Sequence, residues 1–503
     1  MKRTLCGILL IILMLSLVLV SLCACSLFKS VYITCMNGDE MIQEISVGYG
    51  KTNNYVKSNY LKNVENRYLE KNNLYIEGWY TDASLTTPVV FDDTKVKSDI
   101  TWYAKCKSGD SNRRPLTYNY RYGSGTQSDP YLIKTPEDLD AMRYGSDLYH
   151  KLDNDLNLSE YSNVNSNSTI AQWKAIETYD GHFDGNNHTI SGINFHNMTG
   201  NLTFIELNIG EIKNLNLKYE LSLNTNKRTY LDFICKKNKG VISSCSVSGR
   251  ATLVGFRNAT SVERNDTDGQ IINCKVNMQM YISDGYDYKN YMSLLVGDNY
   301  GRIKGCAATG LIEAKDRFIS SDRYFAGLVN YNQETGVIEE CGSKVDLCGY
   351  GDITTLGSPL VWVGGLTTVN YGSIKNCFYD GHICLSGAYA RGAGLAAYTT
   401  GFIKFCYSHI SYESISSITS GTHKFAPAFI AGDSNQAQVS RCEEVIYGSD
   451  SGANNFSNAA DNEKYAQYVK KKDLYSAQTF AFWDFTIWNV ANGKLPTLKN
   501  LPL

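Results

Sequence analysis

A six-residue pattern, Gly-x-Ile-x-x-Cys, recurs through the middle of this 503-residue chain and limits its fold more than any other feature. It reads GVISSC (240–245), GQIINC (269–274), GRIKGC (301–306), GVIEEC (336–341), GSIKNC (372–377) and GFIKFC (401–406); a worn copy, AQVSRC, ends at Cys442. Successive cysteines lie 29, 32, 35, 36, 29 and 36 residues apart. Self-similarity at such a period means stacked units, each too small to bury its apolar face alone. In several copies an Asn stands two places before the Gly (Asn238, Asn299, Asn370) or before its replacement (Asn435, before Ala437). Short apolar stretches such as SLLVGDN and GGLTTVN precede the pattern, and alternating ones such as SVSGRATL and AATGLIEA follow it. No amphipathic segment of helix length lies between copies. Two or three short strands per unit, split by Asn and Gly turns, leave an all-β solenoid.

A repeated cysteine can be a ligand column, a disulfide ladder or a stack of small core residues. One more copy favours the last. GEIKNL (210–215) has Leu215 in the cysteine place, 30 residues before Cys245, with Asn208 two before its Gly. A position that accepts Leu is buried and apolar, and free cysteine behaves as a small hydrophobe. In a parallel solenoid, equivalent residues stack about 4.8 Å apart. Leu215, Cys245, Cys274, Cys306, Cys341, Cys377, Cys406 and Cys442 are therefore expected to form one core column. Side chains stacked in register point the same way, which strains a disulfide, and thiols along one wall give no tetrahedral closure for a metal. The residues three before each Cys (Ile242, Ile271, Ile303, Ile338, Ile374, Ile403, Val439) should form a parallel ladder. The Asn column is expected to form turns or an Asn stack.

The rest of the chain is less constrained. Charged residues are 19% and the net charge is −2, which gives no field for nucleic acid. Tyr is abundant, at 36 against 18 Phe, and suits a β-rich surface that presents rings. Lys2 and Arg3 precede an apolar run from Leu5 to Leu22, then Leu22-Cys23-Ala24-Cys25. Residues 1–24 read as a targeting signal. The small residue before Cys25 resembles the bacterial lipoprotein processing box, which implies cleavage before Cys25 and lipidation there. The alternative is an ordinary secretory signal or an N-terminal membrane helix. A lipid would tether the exported chain to the cell membrane on its extracellular side. Twelve cysteines then remain, without a CxxC, and the seven His are scattered, so neither a metal nor a cofactor is expected.

Two further resemblances cover most of the mature chain. YIEGWYTDASLTTPVVFDDTKVKSDITWYAKC (75–106), with the upstream Asn37-Gly38, resembles the internalin-type B-repeat. The family implies a small β-grasp-like spacer or adhesive module over 25–107. It would place Cys35 and Cys106 near the ends of the first and last strands, as a candidate disulfide or two free thiols. Trp79 reads as a core ring of that module rather than a ligand platform. A polar linker, 108–116, follows.

GSGTQSDPYLIKTPEDLDAM (123–142), YHKLDNDLNLS (149–159) and GHFDGNNHTISGINF (181–195), followed by the repeats, resemble the GLUG-motif family of bacterial surface proteins. KKDLYSAQTFAFWDFTIWNVANGKLPTL (471–498) resembles that family's closing segment. The resemblance implies a right-handed parallel β-helix of about eight coils over 117–445 and a capping segment over 446–503. Thr135, Pro136 and Asp138 independently mark a helix start.

These features suggest a lipid-anchored surface protein with an adhesive, ligand-binding or structural role. Its partners would be the membrane, through its lipid, and a glycan or a surface protein of a host or neighbouring cell. The loops at 281–292 and 411–428 are the expected face. The alternative is a polysaccharide-active enzyme, a lyase or glycoside hydrolase, which would need carboxylates from successive coils on one groove. The local acidic clusters, Asp180–His188, Glu263–Gly269, Asp284 with Asp287, and Glu339-Glu340, show no paired pattern, and no catalytic residue is assigned.

Overall fold

The protein is described from a computed structural model. It describes residues 30–61, 64–65, 74–108, 120–162, 172–195, 200–283, 289–314, 322–350, 360–386, 389–414, 424–426, 429–431, 442–449 and 466–501. Cys25, the signal segment, most of the linker, Val439, Asn435 and much of the two loops singled out above lie outside these residues. The chain divides into two compact units, Met1–Tyr118 and Asn119–Leu503.

The first unit is a mixed four-stranded sheet. Strands β1 (Ser30–Asn37), β2 (Glu40–Gly48), β3 (Leu74–Tyr80) and β4 (Ile100–Ser108) take the order β2-β1-β4-β3. The hairpin β1–β2 turns at Gly38, whose φ of 59° is open to glycine. The central pair, β1 with β4, is parallel, and both outer pairs are antiparallel. Thr52 accepts from the Tyr55 N–H and starts a helical turn, α1 (Asn53–Val56). Val31, Ile33, Val47, Trp79 and Trp102 fill the core. This is the β-grasp-like arrangement, with Trp79 buried as expected.

The structure corrects the candidate disulfide: Cys35 and Cys106 are both free. Cys35 is in register with Trp102 on β4, so Cys106 lies four residues further along that strand. Four residues of strand are roughly 13 Å, twice what a disulfide spans.

The second unit is a parallel β-solenoid of about eight turns. Each central coil has four strands. The coil after Tyr324 shows them: Arg323–Ala326, Val329–Asn332, Val337–Glu339 and Gly342–Gly349. Each pairs in parallel with its equivalent one coil on. We call these walls 1 to 4, beginning with the short isoleucine strand, so that the long strand after the cysteine is wall 2. The entry helix α2 (Pro136–Ala141) has the expected capping box: Thr135 accepts from the Asp138 N–H at 3.2 Å and Asp138 accepts from the Thr135 N–H at 3.0 Å.

The isoleucine ladder runs in register from Ile212 through Ile242, Ile271, Ile303, Ile338 and Ile374 to Ile403, and all are fully buried. Phe183 continues it toward the N-terminus. The cysteine column is also buried from Leu215 to Cys406, and every cysteine in that span is a free thiol.

Cys442 departs from the expected column. Its Cα partner is Ile403, and Val445 pairs with Cys406. The last coil is therefore three residues out of phase with the expectation. The worn copy has neither the Gly nor the Ile that set the phase elsewhere, and the buried Val445 fills the column place much as Leu215 does at the other end.

The column also explains why cysteine stands there. The residue just before it is left-handed from Leu215 to Cys406: Asn214, Ser244, Asn273, Gly305, Glu340, Asn376 and Phe405 have φ of 51–64°. One αL residue bends the chain sharply from wall 1 into wall 2, a cost that Asn and Gly carry most easily. The bend takes the cysteine N–H out of the strand ladder. The thiol of the next coil accepts it: Cys274 N–H to Cys306 Sγ at 3.4 Å, Cys306 to Cys341 at 3.3 Å, Cys341 to Cys377 and Cys377 to Cys406 at 3.4 Å. Each S–H in turn has two carbonyls in reach, that of the residue two before it at 3.1–3.4 Å and the isoleucine carbonyl one coil before at 3.5–4.0 Å. Cysteine is thus a core residue that also satisfies a buried donor. Burial pushes the Cys245, Cys306 and Cys377 thiols well up. Hydrogen bonds from neighbouring thiols pull Cys274 the other way, and outweigh burial at Cys341. Adjacent thiolates in a dry core would repel each other, which together with burial keeps Cys245, Cys306 and Cys377 neutral.

The Asn positions form a continuous amide ladder. Each Nδ2 donates to the next Oδ1 at 2.8–2.9 Å, from Asn208 through Asn238, Asn265, Asn299 and Asn332 to Asn370, which donates to Thr399 Oγ1 at 3.0 Å. Asn265 and Asn332 stand four places before their Gly, not two, because their coils turn through two extra residues.

The closing segment does two things. Gln467–Tyr468 adds a last strand to the coils at Ile446 and Tyr447. The chain then runs back along their flank. Phe480, Trp483, Trp488 and Leu498 form a satellite core with the outward-facing Phe378, Tyr407 and Ile446.

Candidate functional site

Three of the acidic clusters noted in the sequence are held in ion pairs and hydrogen bonds, and Asp284 with Asp287 lies outside the described residues. His182 meets Glu211 and His188 meets Asp155, each at 3.2 Å across one coil step. Asp184 accepts from the Asn186 N–H and from Asn214 Nδ2. Asp266 is held by Lys237 at 2.9 Å and Arg264 at 3.0 Å. Glu339 pairs with Arg302, and Glu340 with Lys304 at 2.9 Å. No group of three or more metal-capable side chains occurs among the described residues.

Asp232 is different. It is fully buried, in register between Thr203 and Thr260, and neither carboxyl oxygen has a hydrogen-bond partner among the described residues. Burial raises its pKa well above the usual carboxylate value, and nearby Glu263 and Glu206 add to this against Lys236. The folded state therefore holds a proton that the unfolded chain releases near pH 4. Its stabilising share is complete below that pH and is lost as pH rises toward the folded pKa. Asp232→Asn is expected to raise stability at pH 7 by about 1 kcal/mol or more, the worth of one pKa unit, and to flatten the decline between pH 4 and 7. Urea titrations of both proteins at pH 4, 5.5 and 7 read this directly; parallel curves would refute it.

A row of rings runs along walls 3 and 4, partly accessible at Tyr291, Trp362 and Tyr398 and buried at Tyr324, which is 7% exposed. Tyr291, Tyr324, Trp362 and Arg391 occupy one register position on four successive coils. Tyr331 and Tyr398 stand beside them on wall 4. Tyr291 and Tyr324 stack at 4.9 Å with planes 8° apart, and Trp362 and Tyr398 stack at 5.8 Å. Tyr324 meets Trp362 edge-on at 5.6 Å, and Tyr371, 40% exposed, meets Tyr398 edge-on at 6.1 Å. Arginines close both ends, Arg257 over Tyr291 at 5.5 Å and Arg391 over Trp362 at 4.8 Å. The row spans five coils, about 19 Å at strand spacing.

Of the expected face, Tyr291 belongs to this row. The other rings are 30 or more residues away in sequence, and only the coil register brings them together.

A second surface lies on the outer face of wall 2. Alternate residues point outward, and in three successive coils these are Lys344 and Asp346; Asp380 and His382; and His409 and Ser411, while Cys348 and Cys384 further along are buried. His409 Nδ1 lies 2.8 Å from Asp380 Oδ1, and Lys344 Nζ lies 3.5 Å from Asp380 Oδ2. Burial alone would raise the Asp380 carboxyl, but the His409 hydrogen bond and the two positive neighbours hold it below the usual value. Asp346 accepts from the His382 N–H at 3.1 Å. His382 Nδ1 lies 2.7 Å from Ser411 Oγ. Sequence reading passed over these residues because each coil contributes only two or three of them.

No family model and no curated protein matches the chain. Among solved structures, one described as a "putative immunoglobulin A1 protease from Bacteroides ovatus" is similar at 13% identity and a TM-score of 0.33, covering 76% of this chain and 95% of its own.

Proposed function

We propose that this chain is an exported bacterial surface protein, tethered through a lipid on Cys25, whose solenoid binds an extended glycan of a host or neighbouring cell along the aromatic row. The row itself carries this reading. Rings at a constant register position on successive coils give a rigid, linear platform, which costs little ordering entropy on binding. The arginines at its ends add donors for sugar hydroxyls or acidic groups. The lipid anchor rests on the processing-box resemblance, and the adhesive role also on the resemblance to surface modules. The GLUG-type and B-repeat-type assignments belong to the same proposal.

The test is binding of the mature chain to immobilised bacterial and host glycans, repeated with Trp362→Ala and Tyr398→Ala. Each variant is expected to weaken the recognised glycan about tenfold or more, at 1–3 kcal/mol per lost ring contact, with melting little changed. Binding that survives both substitutions would remove the row from the interface. The alternative, a polysaccharide-active enzyme, would have to use Asp346 and Asp380, which lie on adjacent coils of the other face. The same assay separates the two readings, because hydrolysis or elimination would return shortened glycan.

A further inference from the structure

The outer face of wall 2 holds a pair that the binding proposal leaves unused. Ser411 Oγ and His382 Nδ1 are 2.7 Å apart, on adjacent coils at one register position. Both side chains are partly accessible. Two rigid parallel strands fix this contact, so no loop has to close to make it. A hydroxyl within hydrogen-bond reach of an imidazole is the core of an activated nucleophile. One register position away, Asp380 holds His409 at 2.8 Å. Two coils before His382 the same outward positions carry Thr309, Leu311 and Glu313, and one coil before it Lys344 and Asp346, so the histidines and the serine are confined to the last coils described.

We propose that Ser411 is a nucleophile and His382 its general base, in a site that hydrolyses carboxylic esters. The Ser411 Oγ lone pair attacks the ester carbonyl carbon as the Oγ proton passes to His382. The carbonyl π pair moves to oxygen. On collapse, the C–O bond to the alcohol breaks, and the alkoxide takes the proton from His382. Water, deprotonated by the same imidazole, then cleaves the acyl-serine to give the carboxylic acid, the imidazolium returns its proton to Oγ, and the acid loses its own proton to solvent. The balance needs only ester and water. His409 is the cation-capable neighbour of the developing oxyanion. Glycosidic cleavage fits this pair less well: it takes two carboxylates in complementary states, and Asp380 is already engaged by His409 and Lys344. The site is independent of the aromatic row and stands or falls without it.

The experiment uses the full mature chain with two probes, a fluorophosphonate and p-nitrophenyl acetate. The expected result is a single adduct mapped by mass spectrometry to Ser411. Acetate release should fall on the order of 100-fold in both Ser411→Ala and His382→Gln, the usual worth of a positioned base, with melting unchanged. Absence of a Ser411 adduct in the wild-type chain overturns the proposal. So does an adduct that forms as fast in His382→Gln. That variant leaves Ser411 in place and decides the matter alone should Ser411→Ala fail to fold.

Discussion

Gly372→Ala is expected to cost the solenoid about 3 kcal/mol or more, one methyl group notwithstanding. A Cβ on Gly372 would sit 2.2 Å from the Gly336 carbonyl oxygen, 2.4 Å from that of Gln333 and 2.8 Å from Asn332 Nδ2. None of these atoms is the tip of a flexible side chain. Two belong to the backbone of the preceding coil and the third to the amide ladder. Relief would require the coils to separate, which breaks the Ser373 N–H to Gly336 bond at 2.9 Å and the ladder beside it. The same close approach recurs at Gly240, Gly301 and Gly401. Glycine opens each copy because a coil crosses the previous one there without room for a side chain. Urea unfolding should show the midpoint shift, with Gly48→Ala as a control, since a Cβ there meets only the Lys51 side chain at 3.8 Å. A cost below about 1 kcal/mol would mean the coils do not stack in this register.

Asn299→Ala should cost about 2–4 kcal/mol. Asn299 sits in mid-ladder, fully buried, accepting from Asn265 at 2.9 Å and donating to Asn332 at 2.8 Å. Removing it leaves a donor on one side and an acceptor on the other unpaired where water does not reach, and that penalty exceeds the worth of the lost bonds. Asn299→Thr should cost less. Thr399 already ends the ladder by accepting from Asn370, so a hydroxyl can serve one of the two neighbours. Equilibrium unfolding of the two variants gives the order, and equal costs would show that packing rather than the amide pairs sets the loss.

The core was largely legible before the structure. Ile242 to Ile403 and Leu215 to Cys406 were readable because inward-facing residues obey a local rule: each coil must place an apolar group at the same step from its bend. The turn positions were partly legible. Asn238, Asn299 and Asn370 stand at a constant offset from their Gly, whereas Asn265 and Asn332 reach the same ladder across a longer turn. The phase of the last coil was misread for a related reason. AQVSRC keeps the cysteine but not the Gly and Ile that anchor the offset, so the match was to the wrong residue. Cys35 and Cys106 were placed near strand ends from a family resemblance, and the parallel pairing of β1 with β4 keeps them apart.

That this chain stacks, with what period, and which residues face inward can all be read from the residues alone, because burial repeats with the coil and leaves a periodic trace. The entry helix is equally legible, since a capping box is satisfied within four residues. The role of the cysteines emerges in three dimensions, where a left-handed residue bends the chain just before each column cysteine from Cys245 to Cys406 and frees an N–H for the next thiol. Only the stacked coils assemble the two outer faces. Tyr291, Tyr324, Trp362 and Tyr398, or His382 and Ser411, are 29 to 38 residues apart from one to the next. Loops of unequal length separate them, and no local interaction marks them. Their proximity follows from the parallel register alone, which backbone hydrogen bonds set without regard to the side chains carried outside.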